Sequence, residues 1–188
     1  MGLTKQIEAL ASSVHAERDA AAEEIFVAGA VLARRAARAW INDADLSALI
    51  GADPAITVGI AVSREHFEKI RAASGSPRLA EVPAEQDAEE FELHFTGIAL
   101  DILTSKAPEG NGAIARYLAR SGEGIQQVEF FCKDVDRATV LLHEKFGVTA
   151  VYPEARAGAN GTRVNFFLVA TPENEKVLIE LYEEGAKG

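Results

Sequence analysis

Two carboxylates are placed where carboxylates are expensive. Asp101 stands in Leu100-Asp101-Ile102-Leu103 and Glu180 in Ile179-Glu180-Leu181-Tyr182, each alone inside an apolar run of strand type. Burying such a group without partners costs several kcal/mol, so its recurrence in two matching contexts points to a use. It can accept hydrogen bonds, hold a hard cation or move a proton. Thr57 and the neighbours Gln126 and Gln127 are the polar interruptions of two further apolar runs, 56–62 and 125–132, and have the hydroxyl and amide groups that orient a ligand. Glu90, Glu92 and His94 alternate with Phe91, Leu93 and Phe95, so the polar trio shares one face of a strand. If that face lines a cavity, one of its acids is a second carboxylate for proton transfer; if it meets solvent, it is a polar exterior. His15, His66 and His143 fall on predicted helices and read as surface residues.

The elements that carry these residues divide at about residue 50. From Thr4 to Ile41 there is no proline and one glycine, Gly29, which predicts one long helix or two. Phe26, Ala30, Ala33, Ala37 and Trp40 form an apolar stripe along it, to be packed on the domain or on a second subunit. A short helix is predicted over 43–50, ended by Gly51. Beyond Pro54 the pattern predicts strand 56–62, helix 64–74 closed by Gly75, and strands 78–82, 90–95 and 98–103. The same βαβββ order returns as strand 125–132, helix 135–146 closed by Gly147, and strands near 149–152, 162–169 and 176–182. Thr57 and Gln127 occupy equivalent places in the two first strands, Asp101 and Glu180 in the two last.

With 29 Asp+Glu against 19 Lys+Arg the formal net charge is -10, so the chain's field repels a nucleic-acid backbone. The single cysteine, Cys132, excludes an intrachain disulfide and suits a reducing compartment. The longest plain apolar run, 25–33, is far below the roughly 20 residues that span a bilayer. The first residues carry neither a secretory h-region nor a myristoylation signal, so a cytoplasmic location without membrane attachment is expected.

Val58-Gly59-Ile60-Ala61-Val62, Ala115-Arg116-Tyr117-Leu118 with Gly122 to Gln127, and Pro153 to Gly161 leading through Val164-Asn165-Phe166 to Val177 to Leu181 resemble the vicinal oxygen chelate superfamily. Within this superfamily, also called the glyoxalase/bleomycin-resistance fold, the sequence looks most like methylmalonyl-CoA epimerases. The resemblance implies an α+β fold: two βαβββ modules, about 55–104 and 124–183, forming a curved sheet around one concave site. That domain spans 55–183, with residues 1–52 as an N-terminal helical extension. Family members place metal ligands at positions that correspond to Thr57, Asp101, Gln127 and Glu180. Similar epimerases carry histidine at the Thr57 and Gln126–Gln127 positions and an amide at the Asp101 position, so only Glu180 is kept. A hydroxyl and an amide are poor ligands for zinc, nickel, cobalt or iron, and no cofactor is expected. A hard divalent cation held by Asp101, Gln127 and Glu180 is the alternative.

Two functions follow. One is a small-molecule-binding protein with a degenerate metal site, in which Thr57, Gln126 and Gln127 orient a ligand among Phe131, Phe166 and Tyr182. The other is a diverged lyase, epimerase or isomerase that uses Asp101 and Glu180 as catalytic acids on a carbonyl, carboxylate or acyl-CoA substrate. The loop 154–161, with Arg156 inside it, is placed to cover the cavity mouth and meet an anionic group. A homodimer through the helical arm or the sheet edges is expected.

Overall fold

The computed structural model describes residues 2–185. In chain order the elements are α1 (Leu3–Leu10), α2 (His15–Ala36), α3 (Arg38–Asn42), α4 (Ala44–Ile50), β1 (Ile56–Ala61), α5 (Arg64–Ala73), β2 (Glu89–Phe95), β3 (Ile98–Thr104), α6 (Ala113–Ser121), β4 (Gly124–Phe131), α7 (Val135–Phe146), β5 (Arg156–Ala157), β6 (Arg163–Ala170) and β7 (Lys176–Glu183). They group into two compact units, Met1–Gly29 with Thr57–Gln126 and Ala30–Ile56 with Gln127–Gly188.

In the first unit β3 pairs parallel with β1 and antiparallel with β2. Val58, Ile60, Leu100, Ile102, Phe91 and Leu93 alternate onto one face and are buried. Helix α5 covers this face through Phe67 and Ile70, with Phe67 meeting Phe91 edge-on at 4.9 Å between ring centres. Ser63 caps α5 by accepting from the His66 amide. Helix α2 comes so close that a β-carbon at Gly29 would lie 2.5 Å from Val58 Cγ1. On the opposite face, Ala61, Ala88, Leu103 and Ile114 form a small apolar cluster with Val82, Tyr117 and Leu118 against it, which seats α6.

In the second unit β7 lies between β4, parallel, and β6, antiparallel, with β5 at the edge. Val128, Phe130, Ile179, Leu181 and Phe167 form its buried face. Leu141 and Leu142 of α7 are buried, and Trp40 packs edge-on against Phe167 at 6.0 Å. Asp134 caps α7 by accepting from the Arg137 amide, and Gly147 ends it in the left-handed conformation at φ 65°. Helix α4 is tied to this unit by Lys145, which donates to Asp43 and Asp45, and by Lys133, which donates to the Ala48 carbonyl.

Several expectations need correction. The N-terminal stretch forms three helices before residue 43 rather than one or two. Residues 78–82 are not a strand: Pro77 and Pro83 bracket them, and one bond, from the Ala80 amide to the Glu90 carbonyl, joins them to β2. Residues 149–152 form only an isolated bridge, Ala150 to Phe167, before Pro153. Ala30, Ala33, Ala37 and Trp40 of the apolar stripe are buried within the chain, and Phe26 is half-buried. The stripe therefore needs no second subunit to cover it, which removes the argument that led from the arm to a dimer. No helix among the described residues is long and apolar enough to cross a membrane.

Candidate functional site

Strand register fixes which side chains share a face, because directly paired residues project to the same side of a sheet. In the first unit Asp101 pairs with Gly59 on β1 and with Glu92 on β2. Thr57, two residues before Gly59, therefore shares Asp101's face, opposite the one packed on α5. Asp101 is 5% exposed. Glu90 lies on the same side, opposite Leu103. Burial pushes the Glu90 carboxyl up to about 7, the charge of Glu92 adds to this, and Lys106 opposes it. A carboxyl that titrates near neutrality can both give and take a proton. The far end of the trio is different: Glu92 and His94 are exposed and pair with each other at 2.8 Å. The polar trio thus contains one half-buried acid and two exterior groups.

In the second unit the polar face is a connected network. The Gln127 amide nitrogen donates to Glu180 Oε2 at 2.7 Å and to Glu129 Oε1 at 3.0 Å. Glu129 and Glu180 are direct partners in the β4–β7 register. Aromatic rings flank them on this face. Phe131 meets Tyr182 edge-on at 5.8 Å, and Phe166, opposite Glu180 in the register, meets Tyr152 edge-on at 6.1 Å. Arg156 lies on the edge strand opposite Val164, with its guanidinium 4.2 Å from the centre of the Tyr152 ring. The segment 154–161 is thus partly built into the sheet through β5 rather than being a free cover. Gln126, next to Gln127 along β4, points the other way; its side-chain oxygen is buried and has no hydrogen-bond partner. It stands apart from the network that Gln127 holds together.

Sequence reasoning missed Glu129, a carboxylate only 9% exposed. Its signal was the two-residue period from Gln127, which puts both side chains on one face. It also misread His66. That ring is half-buried, and its Nδ1 lies 2.7 Å from Glu123 Oε2, while the Ser63 amide donates to the same carboxylate at 2.7 Å. Burial alone would raise the Glu123 carboxyl, but bonds from Ser63 and His66 outweigh it and hold it below the usual range. His15 pairs with Asp19 on α2, and His143 is exposed on α7. Cys132 is buried, donates to the Asp134 carbonyl, and has its thiol pushed up to about 11 chiefly by burial, so it is a core residue and not a nucleophile.

The positions that the resemblance assigns to a metal offer one hydroxyl, one amide and two carboxylates. Among the described residues, no three His, Cys, Asp or Glu side chains are grouped to hold an ion. The amide of Gln127 turns its N–H groups to the carboxylates, as it must, since a carbonyl oxygen there would face two acceptors. An N–H cannot ligate a cation. Neither Thr57 and Asp101 in the first unit nor Gln127 and Glu180 in the second bring the imidazole or thiolate that a borderline-soft metal prefers.

No family model matches the sequence, and no curated protein matches it. Solved structures do. A methylmalonyl-CoA epimerase from Mycobacterium tuberculosis is 29% identical with a TM-score of 0.58, over 74% of this chain and 91% of that one. A variant of Streptomyces coelicolor methylmalonyl-CoA epimerase in complex with 2-nitronate-propionyl-CoA is 28% identical with a TM-score of 0.56, over 71% and 98%. A methylmalonyl-CoA epimerase in complex with methylmalonyl-CoA and NH4+ gives the same identity and TM-score, over 71% and 95%. The fold of this chain is accordingly the glyoxalase-like α+β fold with an N-terminal helical addition.

Proposed function

We propose that this chain is a small-molecule-binding protein of the vicinal oxygen chelate superfamily in which hydrogen bonding has replaced metal chelation. One observation carries the reading: the Gln127 amide is held between Glu129 and Glu180 on a face flanked by Phe131, Tyr182, Phe166 and Tyr152. Aromatic walls supply apolar area, and a few fixed polar groups supply orientation, which is the usual composition of a small-molecule site. Residues 55–183 form the binding domain and 1–52 its helical extension; the location is cytoplasmic, and the partner is a small organic ligand rather than nucleic acid or a membrane. Thr57 and Asp101 serve as the corresponding polar pair of the first module.

A second reading, a diverged lyase or epimerase, is favoured by the acid groups and by the epimerases that the chain resembles in structure. In that reading Glu180 and Asp101 exchange a proton with the carbon next to a carbonyl, and Gln127 holds Glu180 in position. Charge developing on the substrate oxygen would need a donor set in place of a metal, and this requirement weighs towards binding.

The test has two parts. Native mass spectrometry with elemental analysis of the purified chain is expected to give a retained organic mass without a stoichiometric transition metal; such a metal would overturn the reading. Glu180→Gln then separates the two functions. A binder shows a modest change in ligand affinity, whereas an acid–base enzyme loses turnover of an acyl-CoA by orders of magnitude.

A further inference from the structure

We infer that Asn111-Gly112 is a site of spontaneous covalent modification, at which the fold promotes conversion of the asparagine to an aspartyl or isoaspartyl residue. The sequence has two Asn-Gly pairs, Asn111-Gly112 and Asn160-Gly161. In such a pair no side chain shields the amide nitrogen that follows the asparagine, so that nitrogen can approach the asparagine side chain. Both asparagines are exposed. What separates them is the backbone around each.

Asn111 lies in the loop between β3 and α6. Among the described residues its side-chain amide makes no hydrogen bond, and neither does the Gly112 N–H. Its carbonyl accepts from the guanidinium of Arg116, in the first turn of α6. That carbonyl belongs to the same peptide group as the Gly112 nitrogen. When the N–H loses its proton, negative charge spreads onto this oxygen, and a guanidinium already bonded there stabilises it. The positive end of the α6 dipole acts in the same direction. Asn160 is held differently, at φ 52° and ψ 26°, in a turn closed by the Thr162 N–H on the Ala159 carbonyl at 3.1 Å. Ring closure needs the β-carbon and the next nitrogen on the same side of the Cα–C bond, and at this ψ they point apart.

The chemistry needs only water. The deprotonated Gly112 nitrogen bonds to the side-chain carbonyl carbon of Asn111, the bond from that carbon to the side-chain nitrogen breaks, and ammonia leaves with the proton. Water then opens the cyclic imide at either carbonyl, giving aspartate or isoaspartate. The new carboxylate stands beside Gly112, where a β-carbon would lie 2.7 Å from Asp87 Oδ2. Asp87 fastens this loop by accepting from Ser105 Oγ at 2.7 Å and from the Ala107 amide at 3.0 Å, so a second negative charge arrives next to the first.

The test is to incubate the chain at neutral and mildly alkaline pH and follow it by peptide mapping that separates aspartyl from isoaspartyl products. Conversion is expected at Asn111 well ahead of Asn160, and faster at the higher pH because the attacking nitrogen must be deprotonated. Arg116→Gln should slow conversion at Asn111 about fivefold in the folded chain, a modest value for a charge-assisted bond at an exposed carbonyl. Arg116 is exposed, so this variant keeps the fold. In concentrated urea the two pairs should convert alike and the Arg116→Gln effect should vanish. Conversion at Asn160 as fast as at Asn111 in the folded chain, no conversion at Asn111, or an Arg116→Gln rate equal to the parent's would overturn the inference.

Discussion

The two modules share a strand plan but use their polar faces differently. In the first, Thr57 and Asp101 occupy one face, the half-buried acid Glu90 stands at its flank, and the far end of that face is filled by the apolar cluster under α6. In the second, an amide clasps two carboxylates among four aromatic rings. The packed faces are alike, each an aliphatic and aromatic layer covered by a crossover helix, with Gly29 of α2 against the first and Trp40 of α3 against the second. A repeated framework thus keeps what its core requires in both copies, while the chemistry on the other side of the strands is concentrated in one.

The largest expected effect tests the similarity. Phe67 and Phe167 are both 0% exposed, and alanine at either should cost about 3–5 kcal/mol in urea unfolding. A loss below about 1 kcal/mol at only one of them would show that the two layers are not equivalent. The next tests the difference. Gln127→Met removes the donors of two acids and should cost about 1–3 kcal/mol at neutral pH, while Thr57→Val should stay below about 1 kcal/mol. Equal losses would erase the contrast between the faces.

The smallest effect concerns Glu90. Its carboxyl is raised from 4.5 to about 7 in the folded chain, so the folded state holds the proton more tightly than the unfolded one. Below pH 4.5 both states are protonated and there is no effect. Between 4.5 and 7 the unfolded chain releases its proton first and stability falls, and above 7 the full penalty remains. Glu90→Gln should match the parent at pH 4 and be more stable by roughly 1–2 kcal/mol at pH 8, allowing for partial exposure. Denaturant midpoints at the two pH values check it; the opposite sign at pH 8 would show that Glu90 is stabilised as an anion.

Much of the framework was legible in the sequence because its signals were local. Helix α7 begins and ends where Asp134 and Gly147 imply, and β1, β2, β3, β6 and β7 follow apolar runs to within a residue or two. The failures came where pairing is decided by distant chain. Residues 78–82 have the composition of a strand, but the prolines on either side leave them one ladder bond. Arg156 and Ala157 pair with β6 although nothing in a Gly- and Ala-rich segment announces a strand. Within the second unit, Gln127 and Glu180 stood out in the sequence as polar interruptions of apolar runs; Glu129 was hidden because a lone glutamate before two phenylalanines reads as ordinary alternation. Only the register shows that it faces Glu180.

The contact between Gly29 and Val58 has an evolutionary consequence. Even a methyl group at position 29 would act as a wedge against a stiff, branched neighbour, so the outer side of β1 has almost no freedom to vary. The opposite side of the same strand carries Thr57, which is half-buried and faces away from that contact. Reactivity can therefore drift from one generation of sequences to the next while the architecture beneath it stays fixed.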